Sequence, residues 1–175
     1  CEVLESVECL KGNGPSDLMQ VVYHLGKKAL EIAGIENSEE KLKSNIKNGK
    51  AIKKFEEMII AHGGETEMLG TPQLHKPKFR KEIFAKEDGF IGEIDTLQLG
   101  QAVVQLGGGR IHKNDKIDYS TGILFHRKIG EFIEKGTPFL EYFCSDPVKF
   151  KSGGNLLKNI FTIQTQKPNI PPLFY

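Results

Sequence analysis

The chain has 175 residues, with 24 Lys and Arg against 23 Asp and Glu, a formal net charge of +1, 38% hydrophobic residues and a mean hydropathy of −0.34. Such a charge balance argues against a polyanion binder, and no apolar run approaches the roughly 20 residues of a membrane-spanning helix, so neither a nucleic-acid nor a membrane partner is expected. The cysteines Cys1, Cys9 and Cys144 make no even disulfide framework and no C-x-x-C pair, and no signal peptide precedes them, which predicts a reduced, cytoplasmic chain.

A start on Cys1, already inside a helical pattern, points to a segment of a longer polypeptide. Val3, Val7 and Leu10 predict a helix to about Lys11, broken at "GNGP", Gly12–Pro15. Ser16 or Asp17 is placed to cap a second helix with an apolar stripe of Leu18, Val21, Val22, Leu25, Ala29 and Ile32, ended by Gly34. Asn37 with Glu40 has the spacing of a capping box for a third helix, stopped at Gly49. Ile52, Phe55 and Ile59 mark a fourth, ending near His62–Gly64. Each helix offers one apolar face, suited to a small bundle or to docking on a sheet.

Between Gly63 and Arg80 the chain carries Gly70, Pro72 and Pro77 and loses its period, which predicts a linker and a domain boundary at 78/79. Beyond it, "KEIFAK" and "GFIGEID" predict two strands around a turn at Asp88-Gly89. Asp95 or Thr96 is expected to cap a helix bearing Leu99, Val103 and Leu106 and ended by Gly107. Gly122–Phe143 is strand-rich, with turns at Lys128–Glu131 and Lys135–Pro138. Pro147 suits a first helical turn, and Gly153-Gly154 is expected to interrupt or restart that helix. The proline-rich end is expected to be extended.

Little of this chemistry is catalytic. The "LGGGR" run, Leu106–Arg110, looks like a phosphate cradle, but its glycines follow a helix rather than open one, where the dipole disfavours an anion, and no G-K-[ST] follows. A left-handed cap with a tight exit fits better, with Arg110 bonding carbonyls or a carboxylate such as Asp115 or Asp118. His24, His62, His75, His112 and His126 show no metal-ligand spacing and read as surface or satisfied histidines. No G-x-S-x-G elbow exists, and Cys144 reads as buried and inert. Glu2, Glu5 and Glu8 recur every three residues, the mark of a solvated face.

In order along the chain, "EVLESVECLKGNGPSDL" (Glu2–Leu18), "NGKAIKKFEEMIIAHGG" (Asn48–Gly64), "GFIGEIDTLQLGQAVVQLGGGR", "DKIDYSTGI" and "KIGEFIEKGTPFLEY" resemble the C-terminal portion of thymidine and pyrimidine-nucleoside phosphorylases. The likeness covers nearly all of the chain. It implies an α+β fold: a C-terminal hammerhead or barrel-sandwich-like domain at 79–175, preceded at 1–78 by the last helices of an α/β domain. It implies pentosyl transfer from a pyrimidine nucleoside to inorganic phosphate, with phosphate as co-substrate and no organic cofactor. It further implies a homodimer, in which the family's phosphate- and nucleoside-binding residues precede Cys1, so that no catalytic or substrate-binding residue is expected in this chain. One residue carries over: the family's bacterial members bind a monovalent cation partly through a glutamate on this first helix, which is Glu5 here. The "LGGGR" loop would lie outside the phosphate pocket and shape an edge facing the cleft.

Two other readings remain open. The "GEFIEKGTPFLEY" hairpin resembles biotinyl and lipoyl carrier domains, but no Met-Lys pair occurs and the helical first third is foreign to them. A regulatory relative that kept the fold and lost catalysis is the other.

Overall fold

The structure is a computed structural model that describes residues 2–69, 76–170 and 172–174. Cys1, Gly70, Pro72 and His75 lie outside the described residues. The chain divides into two compact units, Cys1–Leu74 with Pro172–Tyr175, and His75–Pro171.

The first unit holds helices α1 (Glu2–Leu10), α2 (Ser16–Ile32), α3 (Ser38–Lys47) and α4 (Lys50–Ala61), then a short 3-10 turn at Thr66–Leu69. Helix α2 packs on α3, and α3 and α1 on α4. The α2–α3 approach is close at Gly26, where a Cβ would stand 3.0 Å from Leu42 Cδ1. Helix α2 stops as the sequence predicts: Gly34 turns left-handed (φ 74°), and the Ile35 N–H reaches back to the Leu30 carbonyl at 2.9 Å. The predicted start signals do not hold. Pro15 occupies the position before α2, and no side-chain cap forms there. Asn37 stands in the left-handed region (φ 52°) and makes no side-chain cap bond, so the capping box with Glu40 is not realised.

These helices bury little. Among the described apolar residues of this unit, only Val7, Cys9 and Met19 are buried. The stripe on α2 faces solvent at Leu25 (62% exposed) and Ile32 (89%), with Val22 also exposed. Val3 and Leu4 on α1, and Met58 and Ile60 on α4, are exposed too. An amphipathic helix is stabilised mainly by covering its apolar face. Here those faces stand exposed.

The second unit is built differently, around two three-stranded antiparallel sheets. Strands β1 (Phe79–Phe84), β5 (Pro138–Cys144) and β3 (Gly122–Phe125) form one sheet in the order β1-β5-β3. Strands β4 (Phe132–Ile133), β2 (Gly89–Ile94) and β6 (Phe161–Gln164) form the other, in the order β4-β2-β6. The two strands flanking Asp88-Gly89 therefore belong to different sheets: Ile83 stands opposite Leu140, and Ile91 opposite Ile163. Strand β6 follows at Phe161–Gln164, where the sequence alone predicts no element.

Two helices join this core, packing on each other, and the second of them also packs on β5. Helix α5 (Thr96–Val103) begins at Asp95, whose carboxylate accepts the Gln98 N–H at 2.9 Å. Helix α6 (Pro147–Leu156) begins at Asp146, which accepts from the Val148 and Lys149 N–H groups at 2.8 and 3.0 Å, with Pro147 in the first turn. It runs without interruption through Gly153 and Gly154, both buried, contrary to the expected break. The core gathers Ile91, Ala102, Leu106, Ile133, Phe139, Leu140, Tyr142, Cys144, Leu157 and Ile160. Helices with two small antiparallel sheets make the chain α+β, as the sequence predicts.

Candidate functional site

The glycine run is an exit from a helix, held by a carboxylate. After Val103 the helix widens into a π-turn, Val104–Gly108, and Gly107 ends it at φ 104°, a conformation an L side chain rarely adopts. The Gly107 carbonyl accepts the Asp118 N–H at 2.9 Å, and the Leu106 carbonyl accepts the Thr121 hydroxyl at 3.2 Å. Asp118 then binds outward: its carboxylate accepts from Ser120 N–H (2.9 Å), Ser120 Oγ (2.6 Å) and Ser145 N–H (2.9 Å). Ser120 Oγ also lies 2.7 Å from Ser145 Oγ. One carboxylate thus joins the glycine exit to the end of β5, 27 residues further along the chain.

Beyond the glycines, the loop folds on a second aspartate. The Asp115 carboxylate accepts from Ile111 N–H at 3.0 Å and His112 N–H at 2.8 Å, and Arg110 Nε donates to the Asp115 carbonyl at 3.3 Å. Arg110 therefore bonds a carbonyl, one of the two partners its position predicts. The backbone N–H from His112 leads in holding the Asp115 carboxyl below the usual carboxylate range. Burial alone would push Asp118 up, but the bonds accepted from Ser120 and Ser145 prevail and hold it low.

A group whose folded-state value is depressed contributes stability fully above its unfolded value and loses it as pH falls through the folded value. The Asp118 contribution is therefore complete above about pH 3.9 and is lost in more acid solution. Replacing Asp118 by alanine strands the Ser145 and Ser120 N–H groups and should cost roughly 2–3 kcal/mol at pH 7. Urea midpoints of the two proteins should converge as pH is lowered from 5 to about 2.5. A difference that stays constant over that range contradicts this account of Asp118.

This arrangement is a brace rather than a reaction centre. The glycines sit at the carbonyl end of α5, where an anion is disfavoured. Cys144 is fully buried and donates to the Asp146 carbonyl at 3.3 Å, and burial first, then the Asp118 and Asp146 charges, push its thiol up, away from the reactive thiolate. His24 stacks on Phe174 with ring centroids 4.2 Å apart, and His62 Nδ1 lies 2.8 Å from the Met58 carbonyl. His112 is exposed, and the half-buried His126 donates its backbone N–H to Phe139. Among the described residues, no three His, Cys, Asp or Glu side chains gather into a metal-holding group. Glu5 stands exposed in the first turn of α1.

The sequence reading missed Ser120 and Ser145 as partners of Asp118. Ser120 was findable, because Asp-x-Ser is the spacing at which an aspartate bonds the backbone two residues on. Ser145 was not, since its contact depends on where β5 ends.

The fold and the braced glycine exit define a small α+β domain, and residues 90–164 match the family model for the pyrimidine nucleoside phosphorylase C-terminal domain. The chain is 34% identical over 149 residues to the pyrimidine-nucleoside phosphorylase of Bacillus subtilis, covering 82% of this chain and 34% of that protein. To that of Staphylococcus epidermidis it is 34% identical over 179 residues, 99% of this chain and 36% of that protein. To that of Geobacillus stearothermophilus it is 30% identical over 183 residues, 99% of this chain and 41% of that protein. The chain belongs to the pyrimidine-nucleoside phosphorylase family and corresponds to its C-terminal portion. It spans about a third of the length of the Bacillus and Staphylococcus relatives. The match favours the phosphorylase resemblance over the carrier-domain alternative.

Proposed function

We propose that this chain is the supporting, C-terminal part of a pyrimidine-nucleoside phosphorylase. That enzyme transfers a pentosyl group from a pyrimidine nucleoside to inorganic phosphate, releasing the free base and a pentose 1-phosphate in cytoplasmic nucleoside salvage. The observation that carries the reading is the exposed apolar faces of α1, α2 and α4, which suit the flank of a sheet supplied by the rest of an α/β domain. The 79–175 region then supplies a wall that moves against the cleft, with the Asp118 brace keeping the glycine exit in shape as the domains close. Glu5 contributes one oxygen to a monovalent cation site completed by upstream backbone groups. Inorganic phosphate is a co-substrate, no organic cofactor takes part, and the whole enzyme is a homodimer.

Attack of phosphate on the anomeric carbon requires a held phosphate and a stabilised departing base. This chain supplies neither. The purified 175-residue chain should release no thymine from thymidine and phosphate, whereas joining it to the upstream part of such an enzyme should restore turnover. Turnover by the chain alone, in proportion to its concentration, refutes this division of labour, as does a joined protein without activity.

A further inference from the structure

Away from the glycine exit, β1, an edge of one sheet, and β6, an edge of the other, border a cleft of about 100 Å³. Its apolar lining is Ile83, Phe161, Ile163 and Phe84, the last 47% exposed. Its rim carries Lys86, Lys158, Asn159 and Glu87. Two cations against one anion leave the rim with a net positive charge. Among the described residues, neither Lys86 nor Lys158 takes part in an ion pair.

The backbone around the cleft is held from behind. The Phe161 ring stacks on the fully buried Phe139 at 3.8 Å, and Ile163 stands opposite the fully buried Ile91. Lys86 follows Ala85, whose N–H donates to Thr137 and whose carbonyl accepts from Gly136, both at 2.9 Å. Lys158 lies between the buried Leu157 and Ile160. The apolar lining therefore needs little ordering when a ligand enters, while the exposed Lys86 and Lys158 side chains become ordered as they close on an anion.

We infer that the β1–β6 cleft binds a small amphipathic anion, a ring-sized apolar body resting on Phe84, Phe161 and the two isoleucines, with its carboxylate held by Lys86 and Lys158. The apolar lining suits a ring-sized body, and the unpaired ammonium groups favour an anion over a neutral molecule of the same shape. This inference does not depend on the phosphorylase reading.

Titrating the 15N-labelled full chain with sodium benzoate tests it, with benzyl alcohol as the neutral body and sodium phosphate as an anion without one. Benzoate should shift the amides of residues 83–87 and 158–163 saturably at low-millimolar concentration. Benzyl alcohol should bind about tenfold more weakly, and phosphate should leave those amides unmoved. The exposed Lys86→Ala/Lys158→Ala variant should weaken benzoate about fivefold or more while keeping the native spectrum. No saturable shift up to about 20 mM benzoate, equal affinity for benzoate and benzyl alcohol, or unchanged affinity in the double variant each overturns the inference.

Discussion

Replacing Phe139 by alanine should destabilise the His75–Pro171 unit by roughly 3–5 kcal/mol, the range for deleting a buried aromatic ring. Phe139 is fully buried on β5 and packs on both sheets at once. Its ring stacks on Phe161 of the β4-β2-β6 sheet and meets Phe125 of its own sheet edge-on, with centroids 5.4 Å apart. Alanine leaves a ring-sized void between layers whose backbones are fixed by their ladders, so little collapse can offset the loss. Since a domain holds only some 5–15 kcal/mol in total, this is a large share. Phe139→Leu, which keeps most of the volume, should cost about 1.5 kcal/mol or less. Urea unfolding measures both, and hydrogen exchange locates the damage: β6 amides should lose protection before those of β1. A loss below about 1 kcal/mol for the alanine variant would mean that the ring is not the joint between the sheets.

What was readable in advance was local. The helix period placed α1 to α5, Pro147 marked the start of α6, Asp95 announced its cap, and Gly107 announced the end of its helix. What failed depended on partners far along the chain. "FTIQ" is four residues of weak alternation, and it becomes β6 because β2, about 70 residues earlier, offers it a ladder. The Asp88-Gly89 turn invited pairing of its flanking strands, yet the Leu140 and Ile163 partners win each strand for a different sheet. At Asn37 a left-handed backbone overrode a correct-looking capping spacing. The brace was not legible as such: Asp118 was singled out as a partner for Arg110, whereas it bonds Ser120 and Ser145 and Arg110 bonds the Asp115 carbonyl. The apolar faces of the opening helices were plain from periodicity, but that they stand exposed was not.

The glycine pair in α6 supplies the second large effect, and it runs against intrinsic propensity. Glycine inside a helix costs about 1 kcal/mol relative to alanine, so on local grounds Gly153→Ala and Gly154→Ala should both stabilise. The surroundings reverse the sign. A Cβ on Gly153 would stand 2.5 Å from Leu106 Cγ and 3.3 Å from the Ala102 carbonyl oxygen, with Leu106 fully buried. A Cβ on Gly154 would overlap the Tyr142 hydroxyl and stand 2.7 Å from Cζ of a ring already stacked on Phe150 at 4.9 Å. Neither neighbour is the free end of a flexible chain, so helix or core must shift, at roughly 3 kcal/mol per site. Net of the propensity gain, each variant should lose about 2 kcal/mol. The two Cβ atoms strike different neighbours, Leu106 and Tyr142, but one shift of α6 can relieve both, so the double variant should lose between about 2 and 4 kcal/mol. Urea midpoints of the two single variants and the double variant provide the measurement. A stabilised double variant would show that α6 can lift off Leu106 and Tyr142 at no cost, and that the glycines record a helix break after all.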